Sequence, residues 1–335
     1  MPAIAFFEIQ KGDRPFYNKH LKDQQLLFSE ETLTADVAKN HNDTEILSIF
    51  IRSKITSDIL DVMPKLKLIT TRSAGFNHLD IKEINKRGIP VCYVPVYGEN
   101  TVAEHTFALI LALSRNIHKA YLRTLRENFS LAGLQGFDLK GKTLAVIGAG
   151  RIGLHVIKMA RGFNMNVLAV DPTPDPFLAE VLQFEFVPLE EALTRAHIIS
   201  IHAPLNEKTH HLLNHENIPT IKKGALLINT ARGELVETDA LLKALNNGTI
   251  SGAGLDVLEG EELFVEEEKL FDPKLPPETL ATILKNHALL NREDVVITPH
   301  IGFDSLEAVQ RIRVTTADNI TSFLTGNIKN EVKVP

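Results

Sequence analysis

A single cysteine, Cys92, stands among 335 residues, so no intramolecular disulfide can form and no zinc ribbon or CxxC redox pair is possible. A chain of this size without bridges fits a reducing compartment. Basic residues are outnumbered, 36 Lys and Arg against 42 Asp and Glu, which leaves a net charge of -6. That balance argues against a nucleic-acid partner, whose phosphates demand basic patches. No apolar run approaches the roughly 18 residues of a membrane span. The opening MPAIAFFEIQ has no basic n-region and reaches Glu8 too early for a secretory signal, so a cytoplasmic location is expected. Two catalytic patterns are also missing. His215-Glu216 meets Pro219 where a zinc-binding HExxH needs its second histidine. TRSAG at 71–75 lacks the leading glycine of a nucleophile elbow. Internal repeats and low-complexity segments are absent.

What remains is the composition of an ordinary globular protein, 44% hydrophobic and 23% charged, with length for about two domains. Short apolar runs alternate with helix-period stretches. A first series of runs is IAFF (4–7), ILSIF (46–50), LKLIT (66–70) and IPVCYV (89–94). A second is TLAVIG (143–148), NVLAVD (166–171), EFV (185–187), IISIH (198–202), ALLIN (225–229), AGLDV (253–257) and VVIT (295–298). Strand–helix alternation of this length reads as α/β, with parallel sheets covered by helices. Two series predict two sheets. Cys92 falls inside a strand run and is expected in a core.

Between the series, 101–129 is a long helical pattern without Pro or Gly. It is read as a core helix, or as a hinge helix whose apolar face also packs against a second subunit. The last helical pattern, 305–326, ends at Gly326 and is expected to return to the first domain. The predicted organisation is a discontinuous domain of 1–100 and 301–335 and a second domain of 101–300.

AVIGAGRIG places Gly148, Gly150 and Gly153 in GxGxxG spacing, directly after a strand and at the start of a helix. The first glycine permits a tight turn, the second lets backbone approach a pyrophosphate, and the third lets helix and strand pack closely. The helix N-terminus offers free N–H groups to the phosphates. Asp171 ends the next strand, 18 positions beyond Gly153, where a carboxylate can accept from both ribose hydroxyls and repels a 2′-phosphate. No Arg or Lys follows it in DPTPDPF, so NAD is expected rather than NADP. The plainer reading of Asp171 is a helix N-cap before Pro172.

Three polar residues follow successive late strands: Arg232 after ALLIN, Glu261 after AGLDV and His300 after VVITP. Ligands of open parallel sheets sit beyond the carboxyl ends of strands. Any one of the three alone reads as structural: Arg232 as a surface ion pair, Glu261 as a solvated glutamate, His300 as a cap. Three together, in a chain with a dinucleotide fingerprint, point to one catalytic site.

GAGRIG with Asp171, HAP (202–204), NTARGELV (229–236), GLDV (254–257) and TPHIGF (298–303) resemble the D-isomer-specific 2-hydroxyacid dehydrogenases, in order and over nearly the whole chain. RSAGFNHLD (72–80), VPVYGENTVAEHT (94–106), NFSLAGLQGF (128–137) and the long segment between Glu261 and His300 resemble the fermentative D-lactate dehydrogenase branch. The resemblance implies a Rossmann NAD domain and a discontinuous flavodoxin-like substrate domain with a crevice between them. It implies that Arg232 binds the substrate carboxylate and polarises the keto oxygen, and that His300 is the acid–base residue. Glu261, five positions past Asp256, would orient His300 and favour its protonated form. Backbone N–H groups of Ala74 and Gly75 would help hold the carboxylate, and Tyr97 and Phe303 would line a small pocket. Arg151, Ile152, Ala203, Pro204, Thr230 and Asp256 would be further NAD contacts. Two departures from the family pattern are Leu258, where an aromatic is usual, and the run EGEE (259–262), which offers several glutamates to one histidine. The implied activity is D-lactate dehydrogenase, as a homodimer through 101–129. The alternatives are a reductase for glyoxylate, hydroxypyruvate or a bulkier 2-keto acid, and a non-enzymatic dinucleotide sensor like the related corepressors.

Overall fold

A computed structural model describes residues 2–261 and 276–333 of the chain. The polypeptide divides into two compact units, Met1–Gly98 with Asp304–Pro335, and Glu99–Phe303. Each is a parallel sheet covered by helices.

In the first unit, β1 (Ala3–Phe6), β2 (Gln25–Phe28), β3 (Ile46–Ile49), β4 (Leu68–Thr71) and β5 (Val91–Cys92) lie in the order β2-β1-β3-β4-β5. Every pairing is parallel. The period of two along a strand sends alternate side chains of β1 to opposite faces. Ile4 and Phe6 join Leu68, Cys92 and the Ala317 and Ile320 face of the Leu306–Leu324 helix. Ala5 joins Leu47 and Ile69 in the other layer. The returning helix begins at Ser305, whose side chain caps the Ala308 amide, and ends just before Gly326 in a left-handed conformation. Strand β2 has no counterpart among the runs read from sequence, because it is a half-exposed edge strand of four residues.

In the second unit, β6 (Thr143–Ile147), β7 (Asn166–Val170), β8 (Glu185–Phe186), β9 (Ile198–Ile201), β10 (Ala225–Asn229), β11 (Ile250–Leu255) and β12 (Val295–Ile297) form one sheet. Its order is β12-β11-β10-β9-β6-β7-β8. The chain runs outward from β6 through β7 and β8, then crosses back to β9 beside β6. This reversal places a topological switch point at the carboxyl ends of β6 and β9, where such sheets take ligands.

The helical pattern at 101–129 is not one helix. It forms Glu99–Ser114 and Ile117–Thr124, broken at Asn116, which is left-handed with φ 51°. The Ser114 carbonyl turns to the Phe137 amide at 2.9 Å, and Asn116 Nδ2 donates to Gln135 O at 3.2 Å. A returning loop therefore takes the hydrogen bonds that a continuous helix would need. The apolar face of Glu99–Ser114 is buried within its own unit: Phe107, Leu109, Ile110 and Leu113 pack with Leu226 and Ile228 of β10. A Cβ on Gly254 of β11 would lie 2.9 Å from the Leu109 Cβ, so that glycine lets helix and sheet approach. Among the described residues no helix is long and apolar enough to cross a membrane.

Replacing Asn116 with valine forces a β-branched residue into the left-handed region. It is expected to lower stability by about 1–2 kcal/mol, read as a shift of the urea midpoint at constant m-value.

Candidate active site

Val146 and Ile147 carry β6 into a turn that only glycine can make at its first position. Gly148 has φ 98°, and a Cβ there would lie 2.7 Å from the Ala203 amide nitrogen. The turn after β6 is thus pressed against HAP at the end of β9. Gly153 is equally confined: a Cβ would lie 2.0 Å from the Gly148 carbonyl oxygen. Gly150, N-cap of the Arg151–Gly162 helix, differs, because a Cβ there would meet nothing within 4 Å. Two glycines close the turn and the third leaves open space at a helix N-terminus, which is where a diphosphate fits. Arg151 at that terminus is exposed and lies 3.7 Å from Glu99, and Ile152 beside it is half-buried.

Asp171 follows β7. Its Oδ2 accepts from the Ala149 amide inside the glycine turn at 2.9 Å, and its Oδ1 accepts from the Thr173 amide and hydroxyl, each at 2.9 Å. It is not the helix cap, since Asp175 takes that role for Pro176–Leu182. The carboxylate is oriented before any ribose arrives.

The HAP segment supplies a histidine unfit for proton transfer. His202 is half-buried as a residue, but its ring is enclosed enough that burial pushes it down to about 3, and its Nε2 pairs with Ser200 Oγ at 2.8 Å. It is neutral near pH 7. Ala203 lies against Gly148, and the exposed Pro204 carbonyl accepts from the Thr209 hydroxyl at 2.6 Å.

The turns that carry Arg232 and Glu261 meet at the Leu258 backbone, and the Glu261 side chain reaches His300. Asn229, fully buried at the end of β10, donates from Nδ2 to the Arg232 carbonyl at 2.8 Å and accepts from the Ala231 amide at 3.0 Å, shaping the turn that projects the arginine. Gly233 then docks on the next loop: a Cβ there would lie 2.0 Å from the Leu258 carbonyl carbon. The Glu261 amide donates to that same Leu258 carbonyl at 3.0 Å. Thus Leu258, which stands where the family usually has an aromatic, is almost fully buried and meets both turns with its backbone. The Glu261 carboxylate reaches His300 Nδ1 at 2.6 Å. Glu259 is engaged elsewhere, with His211 at 2.7 Å and with the amide and hydroxyl of Thr238. Burial alone would push the Glu259 carboxyl up; these hydrogen bonds outweigh it and hold the group below the usual carboxylate range. Of the run EGEE, Glu262 lies outside the described residues, as does 262–275 of the long segment before His300.

His300 sits in the left-handed region at φ 56°. Asp256, 2% exposed, holds it there. The Asp256 carbonyl accepts from the His300 amide at 2.9 Å, and its carboxylate accepts from the Ile301 and Gly302 amides at 2.9 and 2.8 Å. Burial alone would raise this carboxyl. Hydrogen bonds from His105, Thr298 and the two amides outweigh it, so the group stays below the usual range and ionised. A Cβ at Gly302 would lie 2.8 Å from Asp256 Oδ2, so glycine there admits the carboxylate.

The Arg232 guanidinium is half-buried. Among the described residues it meets one acceptor, the Ala231 carbonyl at 2.6 Å, and no carboxylate. A half-buried cation with so little compensation is suited to an anionic ligand. Thr230, just before it, shares a 3.0 Å hydrogen bond with Thr106 of the Glu99–Ser114 helix. Phe303 ends the same unit, half-buried.

In the other unit, Ala74 and Gly75 follow β4. The Gly75 carbonyl accepts from Ser73 Oγ at 2.6 Å, and among the described residues neither amide donates to protein. Tyr97 is half-buried, with its carbonyl bonded to Arg311 Nε. Sequence reading missed Asn229, Gly233, Gly302, Thr298 and His105. The last two lie in the quoted segments TPHIGF and VAEHT, but nothing in their spacing reveals the partner they share.

A model of the NAD binding domain of D-isomer specific 2-hydroxyacid dehydrogenases matches residues 107–302. The D-lactate dehydrogenase of Aquifex aeolicus, solved with NAD and lactic acid, is similar in structure with a TM-score of 0.88 at 37% identity, over 99% of both chains. The D-lactate dehydrogenase of Escherichia coli K12 is 35% identical over 305 residues, 90% of each chain. The glyoxylate reductase of Thermofilum pendens is 38% identical over 298 residues, 88% of this chain and 82% of that one. The chain belongs to the D-isomer specific 2-hydroxyacid dehydrogenases. It is an NAD-dependent oxidoreductase with two parallel-sheet α/β domains.

Asp171→Ala is expected to shrink the ratio of NADH to NADPH efficiency, because the repulsion of a 2′-phosphate goes with the carboxylate. Steady-state kcat/KM with each cofactor measures it, and an unchanged ratio would remove Asp171 from cofactor selection.

Proposed function

We propose that this chain is a D-lactate dehydrogenase, reducing pyruvate to D-lactate with NADH. The observation that carries the reading is a hydrogen-bonded His–Glu pair and an arginine that meets no carboxylate among the described residues, with the turns of Arg232 and Glu261 meeting at the Leu258 backbone. When bound, NADH supplies the hydride to C2 of the keto acid. Arg232 binds the substrate carboxylate through its planar fork, which suits that partner better than a lysine would. With Nδ1 on Glu261, His300 has Nε2 left to give its proton to the keto oxygen as C2 accepts the hydride; oxidation reverses both transfers. Gly148, Gly150, Arg151, Ile152 and Gly153 are assigned to the diphosphate, Asp171 to the ribose, and Ala203, Pro204, Thr230 and Asp256 to the rest of the cofactor. The unit Met1–Gly98 with Asp304–Pro335 is proposed as the substrate domain, on the amides of Ala74 and Gly75, which donate to no protein group among the described residues; Tyr97 and Phe303 are proposed as pocket residues. The preference for pyruvate draws on the two D-lactate dehydrogenases among the similar proteins, and the glyoxylate reductase is what favours the second reading, a different small 2-keto acid.

A cytoplasmic homodimer is part of the proposal. Its surface is narrower than 101–129, because the first helix there is buried in its own unit. Ile117, Tyr121, Leu122, Leu125 and Phe129 are each more than half exposed and form the candidate interface.

A methylene in a pocket changes discrimination by about 1–3 kcal/mol, so a series of 2-keto acids resolves the substrate. Pyruvate is expected to give the highest kcat/KM with NADH. A higher value with glyoxylate, or with a branched or aromatic acid, would defeat the lactate assignment, and no NADH oxidation with any of them would favour a dinucleotide sensor.

Arg232→Ala is expected to lose about 2–5 kcal/mol of transition-state stabilisation, by analogy with truncating one partner of a desolvated charge pair. His300→Gln should lower kcat while NADH still quenches or shifts its fluorescence on binding. Wild-type kcat/KM in either variant would remove that residue from the mechanism.

A further inference from the structure

One histidine near this site has no part in the chemistry above. His105 lies on the Glu99–Ser114 helix, 193 positions from Thr298, yet its Nε2 is 3.0 Å from Thr298 Oγ1 and 3.3 Å from Asp256 Oδ1. Chemistry fixes the direction of these bonds. An ionised Asp256 can only accept, so the Thr298 hydroxyl donates its single hydrogen to Oδ1, at 2.5 Å. Thr298 Oγ1 then has only lone pairs to offer His105, and Nε2 must carry the ring hydrogen. The result is a one-way series of donors from the helix, through the threonine, to the carboxylate that holds the Ile301 and Gly302 amides.

His300 depends on that carboxylate. A left-handed residue other than glycine persists only where its surroundings over-determine it. Here the carbonyl and carboxylate of Asp256 do so together. Three donors besides the His300 amide and the Gly302 amide converge on Asp256, and His105 is the one that comes from outside the loop itself.

We propose that His105 is a positioning residue for His300: its Nε2–H fixes Thr298 and Asp256, which together hold the 300–302 turn that aims His300 at Glu261. This rests on the reading of His300 as the acid–base residue.

The test uses the full chain with His105 changed to leucine, asparagine or glutamine. Leucine fills space without a donor. Glutamine sets an amide nitrogen as many bonds from the backbone as the imidazole Nε2, and asparagine sets it one bond short. His105→Leu is expected to lower kcat by roughly 10- to 100-fold, the scale of a small misplacement of a reacting group. NADH affinity by fluorescence titration should fall by much less than kcat does, since Asp256 is one of several groups assigned to the cofactor. His105→Gln should recover most of the rate, and His105→Asn should not. Amide hydrogen exchange at Ile301 and Gly302, measured without cofactor, should quicken in the leucine variant and return in the glutamine variant. Wild-type kcat and exchange in His105→Leu would overturn the proposal. So would an equal loss in all three variants accompanied by weaker NADH binding and a lower Tm, since that pattern marks simple packing. His300→Gln run in parallel separates the two readings. If it stays active, the acid–base assignment has failed, and the exchange data alone then decide whether His105 holds the turn.

Discussion

The Asp256 carboxylate is the contact on which the loop after β12 in the second unit depends. A buried anion is costly unless it is fully hydrogen-bonded. Here the compensation is arranged so that every donor is also a structural point: the loop amides of Ile301 and Gly302, the Thr298 hydroxyl, and a helix histidine. Satisfying the charge and shaping the loop are one event. The left-handed His300 follows from it, as does the need for glycine at 302. The sheet of the second unit, in which β11 pairs with β12, brings the two strands close enough for this to happen.

Around that centre the chain uses backbone proximity where side-chain contacts alone would be too loose. Gly233 on the Leu258 carbonyl, Gly148 on Ala203 and Gly153 on Gly148 each bring two main chains within a distance that excludes a Cβ. These approaches set the separation of the turns that carry Arg232 and Glu261, and of the two strands that frame the nucleotide turn. Side chains then need to supply only orientation. Asn229 does so for Arg232, and Glu259 does so for the start of the Thr238–Asn247 helix.

The sequence was informative wherever a local pattern has a local cause. Buried parallel strands such as ALLIN and TLAVI are continuous apolar runs, and the glycine turn has a fixed spacing, so both were legible. Strand β2 was not, because half of its residues face solvent and its apolar run, Leu26 to Phe28, is short. The break at Asn116 was hidden for a different reason: its cause is the loop at 134–137, which competes for the helix's hydrogen bonds from some twenty residues away. His105 and Thr298 share that character. Each is an ordinary polar residue in a helix or loop, and its meaning arises only when two distant segments meet. The choice of Glu261 within EGEE came from family spacing; the geometry supplies the physical reason, since Glu259 already serves Thr238 and His211.

The hydrogen bond from the Ala149 amide to Asp171 joins the part of the turn that would face phosphate to the part that would face sugar. Anyone redesigning the cofactor preference by swapping that aspartate for a neutral or cationic side chain would therefore orphan a main-chain donor in the glycine loop. A phosphorylated dinucleotide would have to be welcomed by a loop that had lost one of its own supports. A substitute at 171 that keeps an oxygen within reach of residue 149, with the positive charge introduced further along the segment, avoids that conflict.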